Sequence, residues 1–215
     1  MTENEMTPPR QRKERKDNAD RRRKQVIEAT LRSVVENGLA RTTLATVANK
    51  AGLSQGVAVF YFQSKEKLLA AALEHQYSIY ETEWRDALEE AGDDPAECLA
   101  ALIRADFSEN LCNRDALAVW FSFWGETSFH PRYADIAQEF DNRRGAEMAL
   151  LCRQLMPRAS DEEAMDTAHS IDSLTDGFWQ RLYLTPDSFT AHEALRLTMA
   201  HLCMVFPDRR DVFVA

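Results

Sequence analysis

Glycine and proline are scarce in this chain, seven of each in 215 residues. Alternating polar and apolar runs, the mark of a half-buried strand, are nearly absent. Together these shortages argue against a turn-rich all-β fold and leave helical periodicity as the organising pattern. The four cysteines, Cys98, Cys112, Cys152 and Cys203, are widely scattered and form no C-x-x-C pair. That spacing argues against a disulfide framework or thiolate metal site, and favours free thiols in a reducing compartment. The five histidines show neither H-x-x-x-H nor H-E-x-x-H, so neither a metal site nor a cofactor is expected. No apolar run reaches the roughly 18–20 residues of a membrane span. The charged N-terminus is not followed by the apolar stretch of a secretory signal. The expectation is a cytoplasmic protein with no membrane partner.

What is present is distributed unevenly. The formal net charge is −9, yet residues 1–67 hold 14 Lys/Arg against 8 Asp/Glu and the remainder 12 against 27. A basic head on an acidic body implies that the head alone meets a polyanion. Residues 1–19 are polar, carry Pro8 and Pro9, and read as a disordered basic arm. Apolar periodicity then predicts nine helices. Three short ones form a head over 20–67, the first near 20–37 and stopped by Gly38. A long fourth spans about 64–88. Five more follow at about 95–112, 115–127, 132–156, 161–184 and 188–206, in a body covering 68–215. The expected fold class is all-α.

Within the head, "LATVANKAGLSQGVAVFYF" (44–62) has the spacing of a helix-turn-helix. Ala48 is small where a second helix crosses closely, and Gly52 suits a turn that a Cβ would penalise. Leu53 and Ala58 lock the helices together, and Ser54 stands where it can cap the second. The longer stretch "TTLATVANKAGLSQGVAVFYFQSKEKLLAAAL" resembles the DNA-binding domain of TetR-family transcriptional regulators. It carries T-x-x-x-V-A-x-x-A-G-x-S-x-G and then Y-F-x-x-K-x-x-L. The resemblance implies a homodimer on a palindromic double-stranded operator and a ligand pocket in the helical body. It also implies phosphate contacts from Thr43, Tyr61 and Lys65, with Ser54, Gln55, Gly56 and Val57 at the base edges. The chemistry agrees, since Gln55 can pair bidentately with adenine and Val57 can touch a thymine methyl. The chain departs from the family pattern at Val59 and Phe60, so no DNA contact is carried over to those two positions.

In the body, "VWFSFWGE" (119–126) concentrates Trp120, Phe121, Phe123 and Trp124 in little more than a helical turn. At about 100° per residue, Leu117, Trp120, Phe121 and Trp124 share an arc. On the eighth helix Ile171, Leu174, Phe178 and Leu182 make one apolar stripe, and Asp172, Asp176, Trp179 and Tyr183 a second. Carboxylates beside aromatic rings suit an organic cation: ring faces attract a quaternary ammonium and the carboxylate compensates its lost hydration. A large aromatic core with solvated aspartates remains the alternative. Catalysis is not expected, because Asp172 and Asp176 lie on adjacent turns of one helix with no opposing base.

"AVWFSFWGETSFHPRYADIAQEFDNRR" and "LTDGFWQRLYL" are similar to segments of the choline-responsive repressors of glycine betaine synthesis genes within that family. "DFSEN" (106–110) extends the likeness. This implies choline as inducer, with Trp120, Trp124 and Trp179 as walls and Phe123, Tyr133 or Phe107 closing them. Asp176 or Asp172 would face the ammonium, and Glu109 would accept from the hydroxyl. A sensor of other organic cations controlling an efflux pump is the alternative within the family. The last two predicted helices, with Leu195, Met199, Leu202 and Met204, would supply the dimer surface as a four-helix bundle, or else those residues are internal core. Deleting residues 1–19 should weaken operator binding and flatten its salt dependence, by about 0.9 in log–log slope for each phosphate the arm had neutralised. Filter binding across a salt series checks it, and an unchanged slope removes the arm from DNA recognition.

Overall fold

The computed structural model describes residues 9–214, with side chains from Lys16 onward. Ten α-helices and one 3-10 turn are found among these residues, and no strand. They are α1 (Pro9–Arg41), α2 (Leu44–Lys50), α3 (Gln55–Phe62), α4 (Lys65–Ala91) and α5 (Pro95–Asp106). Then follow α6 (Arg114–Trp124), α7 (Pro131–Leu155), α8 (Asp161–Leu184), α9 (Ala191–Val205), a 3-10 turn (Pro207–Arg209) and α10 (Arg210–Phe213). The part of the predicted arm before Pro9 lies outside the described residues. From Pro9 on, the stretch read as arm is the beginning of α1. The described chain divides into two compact units, with the boundary between Ala72 and Leu73, inside α4.

In the first unit, Val26, Ala29, Thr30 and Val34 are buried on one face of α1. Val47, Ala48 and Ala51 of α2, Ala58 and Phe62 of α3, and Leu68 and Ala72 of α4 close a single core with that helix. The turn between α2 and α3 passes through Gly52 at φ 66, and Leu53 N–H donates to the Ala48 carbonyl at 2.9 Å. That turn conformation excludes most side chains. The Gln25 amide donates to the Ala51 carbonyl at 2.7 Å, tying α1 to the end of α2.

In the second unit, local caps define the helix starts. Ser160 with Glu163, and Thr190 with Glu193, form reciprocal capping boxes on α8 and α9. Asp94 accepts from Ala96 and Glu97 N–H ahead of Pro95, and its carboxylate is also held by Arg209 at 2.8 Å. The fifth helix is shorter than the predicted 95–112. It stops at Asp106, because Phe107 leaves helical geometry (φ −106, ψ 14). Asn113 then caps α6 by accepting from Asp115 and Ala116 N–H. Leu102, Ile103, Leu111, Phe123, Ile136, Met148, Ile171 and Leu202 are buried in this unit. Met199 and Leu202, open between dimer surface and core in the sequence, are core, whereas Met204 is 73% exposed.

Gly38 interrupts α1 at φ 73, ψ 168, a region that only glycine occupies without strain. No neighbouring atom would meet a Cβ there, so backbone conformation alone sets the cost of a side chain. Gly38→Ala should therefore destabilise the protein by about 1–3 kcal/mol, measured by urea unfolding.

Candidate nucleic-acid interface and ligand cavity

The faces of α3 divide clearly. Ala58 and Phe62 of α3 are buried, whereas Ser54, Gln55 and Gly56 are exposed and Val57 is half-buried. Ser54 occupies the cap position but its side chain makes no cap bond, a correction to the expected side-chain capping. Val59 and Phe60 are also exposed, Phe60 at 76%. Their surface is therefore available although the resemblance gave them no role. Tyr61 is half-buried against the head's core, its ring edge-on to Phe60 at 5.1 Å.

Thr43 is exposed and forms a reciprocal capping pair with Thr46 at the start of α2. Lys65 donates to the Ala40 carbonyl at 2.8 Å. Its ammonium closes the chain after Gly38, and two of its three donors remain for a phosphate.

The second unit contains a cavity of about 190 Å³ lined by Tyr77, Tyr80, Trp120, Trp124, Asp141, Arg144, Asp172, Asp176 and Trp179. Five of the predicted ligand residues, Trp120, Trp124, Asp172, Asp176 and Trp179, thus come together on one wall set. The other four are absent from the lining. Phe123 is fully buried and packs edge-on against Tyr133 at 5.3 Å, both inside the core. Phe107 is buried just beyond the end of α5, and Glu109 is exposed in the following turn. The early stop of α5 explains both positions. Tyr183, read with the acidic stripe, instead stacks on Phe121 at 4.8 Å.

The three tryptophans form one continuous surface. Trp120 lies 6.0 Å from both Trp124 and Trp179 between ring centroids, and Trp124 and Trp179 are nearly parallel at 6.4 Å. Those spacings leave no room for a cation between two rings. The tryptophans therefore form a single wall rather than a sandwich. Tyr77 and Tyr80 meet Trp120 edge-on at 4.7 and 5.9 Å, and Trp179 is fixed by Nε1–H donating to the Asp106 carbonyl at 2.9 Å.

The carboxylates divide into held and free. Arg144 is buried on α7 and donates to Asp106 at 2.6 Å and to Asp172. Tyr80 O–H donates to the other Asp106 oxygen at 2.8 Å. Burial opposes the guanidinium charge, but Asp106, Tyr80 and Asp172 raise its pKa further still. Burial likewise pushes the Asp106 carboxyl up to about 6, against the pull of Arg144. Asp141 and Asp176 have no hydrogen bond or ion pair among the described residues. Both are exposed by area because they line an open cavity. Crowding by protein, followed by the charge of Asp172, nonetheless pushes Asp176 up to about 7 and Asp141 to about 6. That arrangement can attract a small cation and desolvate it against aromatic faces.

Tyr77, Tyr80, Asp106, Asp141 and Arg144 were not singled out from the sequence. The pair "RR" (143–144) entered only as part of the segment of likeness, and Asp106, an acid on the far side of Ala105 from Arg104 in the otherwise apolar run "LAALIRADF", carried no ligand pattern.

Known proteins share both units. Residues 26–72 match the family "Bacterial regulatory proteins, tetR family", and residues 95–207 match "BetI-type transcriptional repressor, C-terminal". The HTH-type transcriptional regulator BetI of Stenotrophomonas maltophilia is 31% identical over 181 residues, covering 84% of this chain and 91% of that protein. That of Pseudomonas paraeruginosa is 32% identical over 182 residues, covering 84% and 91%. A transcriptional regulator of Pseudomonas aeruginosa PAO1 superposes with a TM-score of 0.80 at 24% identity, covering 90% and 94% of the two chains. Another, from Saccharomonospora viridis and solved in complex with choline, gives 0.75 at 20% identity, covering 84% and 94%.

Replacing Arg144 by Leu should destabilise the protein by about 3–5 kcal/mol, since it leaves Asp106 buried without its counter-charge. Urea unfolding measures this. Pairing it with Asp106→Asn should recover part of the loss.

Proposed function

The chain belongs to the TetR family of bacterial regulators with a BetI-type repressor C-terminal domain, and we propose that its inducer is a small quaternary ammonium compound, choline foremost. It is a DNA-binding transcriptional repressor and not an enzyme. Among the described residues no helix is long and apolar enough to cross a membrane.

The observation that carries the ligand reading is the cavity itself. A tryptophan wall shares the cavity with two carboxylates, Asp141 and Asp176, that form no ion pair among the described residues. Its volume of about 190 Å³ lies below the usual 300–1,000 Å³ of sites for drug-sized ligands. A choline-sized cation fits those dimensions better than a bulky efflux substrate. The choline complex of the Saccharomonospora viridis regulator is consistent with this reading, as is the BetI-type domain match.

The repressor acts as a homodimer on a palindromic operator controlling glycine betaine synthesis or choline uptake genes. Gln55, Gly56, Val57 and Ser54 read base edges, while Thr43, Tyr61 and Lys65 hold phosphates. Signal passes along α4, which carries Leu68 and Ala72 in the head core and Tyr77 and Tyr80 at the cavity. A ligand that prefers one arrangement of these tyrosines biases the helix, and with it the separation of the two reading helices. Met204 and Leu184, 73% and 64% exposed, belong to the apolar surface used in pairing.

The test is to titrate the repressor–operator complex with choline, betaine aldehyde, glycine betaine and a bulky aromatic cation. Choline should release DNA, and Trp124→Ala should keep DNA binding while losing the response at least tenfold. Release by the bulky cation alone would favour the efflux alternative, and indifference to all four would end the cation reading.

A further inference from the structure

The cavity contains more acid than its own base can neutralise. From α7 and α8, Asp141 and Asp176 line it unpaired, Asp172 lines it in the grip of Arg144, and Asp106 of α5 holds the same guanidinium. The α4 wall adds only Tyr77 and Tyr80, both with pKa values raised by burial first of all, so their hydroxyls stay neutral. The α6 wall adds only tryptophans. Arg143, beside Arg144 in sequence, is turned instead to Glu81 and Glu139 at 2.9 and 3.0 Å. Four carboxylates therefore share one arginine. Like charges crowded into one protein-walled cavity disfavour one another's ionised form and take up protons when no other cation is present.

We propose that this cavity exchanges a proton for its ligand: a permanently charged ammonium enters as a proton leaves the carboxylates of Asp141 and Asp176. The proposal rests on the small-cation reading above and specifies its regulation. Charge balances, since one positive charge replaces another. Burial, and next the charge of Asp172, pushes Asp176 up to about 7 and Asp141 to about 6, which sets the range of the exchange near neutral pH. The sign follows directly. Below that range the carboxyls are protonated and the ligand must displace protons, so its affinity is low. As pH rises through it the site becomes anionic when empty, affinity climbs, and the gain levels off once no proton remains to be displaced. A quaternary ammonium has no proton of its own to lose, so any such dependence belongs to the protein. At a fixed ligand level, acidification would by itself strengthen repression.

The experiment is isothermal titration of the full chain with choline and with tetramethylammonium between about pH 5.5 and 8.5, in two buffers of different ionisation enthalpy. One linked proton predicts roughly tenfold tighter binding from about pH 5.5 to 6.5, and less than about twofold from 7.5 to 8.5. The apparent heat should differ between buffers at the acidic end and converge at the alkaline end. Asp176→Asn should flatten the profile while circular dichroism and Tm stay near wild type. Asp141→Asn serves if that variant does not fold. Wild-type affinity independent of pH, with equal heats in both buffers, overturns the exchange and leaves the cation reading standing. Full pH dependence in both variants overturns its assignment to these carboxylates. No binding of either cation at any pH overturns the cation reading and the exchange with it.

Discussion

The body of this repressor is organised around one buried guanidinium. Arg144 projects from α7 and takes carboxylates from α5 and α8, while Tyr80 of α4 closes the remaining acceptor on Asp106. Four helices are thus held by a chain of charge-assisted bonds in a poorly solvated interior, where each is strong and each missing partner costly. Trp179 completes the arrangement through the Asp106 backbone. The tryptophan that walls the cavity and the aspartate that anchors the arginine are therefore positioned together.

That network also decides which acids are available to a ligand. Asp172, adjacent to Asp176 by one helical turn, is occupied by Arg144; Asp176 is not. The same-helix pair looks equivalent in sequence and both line the cavity, yet one carboxylate is held by Arg144 while the other has no ion pair among the described residues. The tryptophan spacing imposes a further constraint. Rings 6.0–6.4 Å apart form one wall with no gap between them, so on the proposed reading a cation would meet a single aromatic surface and the acids that share its cavity.

Much of the fold was legible. The start of α8 at Asp161 follows from Ser160 and Glu163, whose capping box is purely local. The head followed from Ala48, Gly52 and Leu53, because the turn admits few residue types. Trp120 with Trp124, and Asp172 with Asp176 and Trp179, were legible as sets since the helical period puts each set on one face. Phe123 and Tyr133 lie outside the cavity lining for a related reason: periodicity places a ring on a flank but does not say which neighbouring helix covers that flank. The same gap hid Tyr77, Tyr80 and Asp141, which join the site from helices whose sequences carry no ligand pattern of their own.

Sequence alone therefore determined the helices, the DNA-reading head and the two stripes that bear the aromatics and acids, since those depend on spacing along one element. Tertiary structure decided that α5 ends at Asp106, that Arg144 pairs with Asp172 and leaves Asp176 free, and that two tyrosines of α4 join the tryptophan wall. These outcomes depend on which helix faces meet, and on which charge finds a partner when water is excluded.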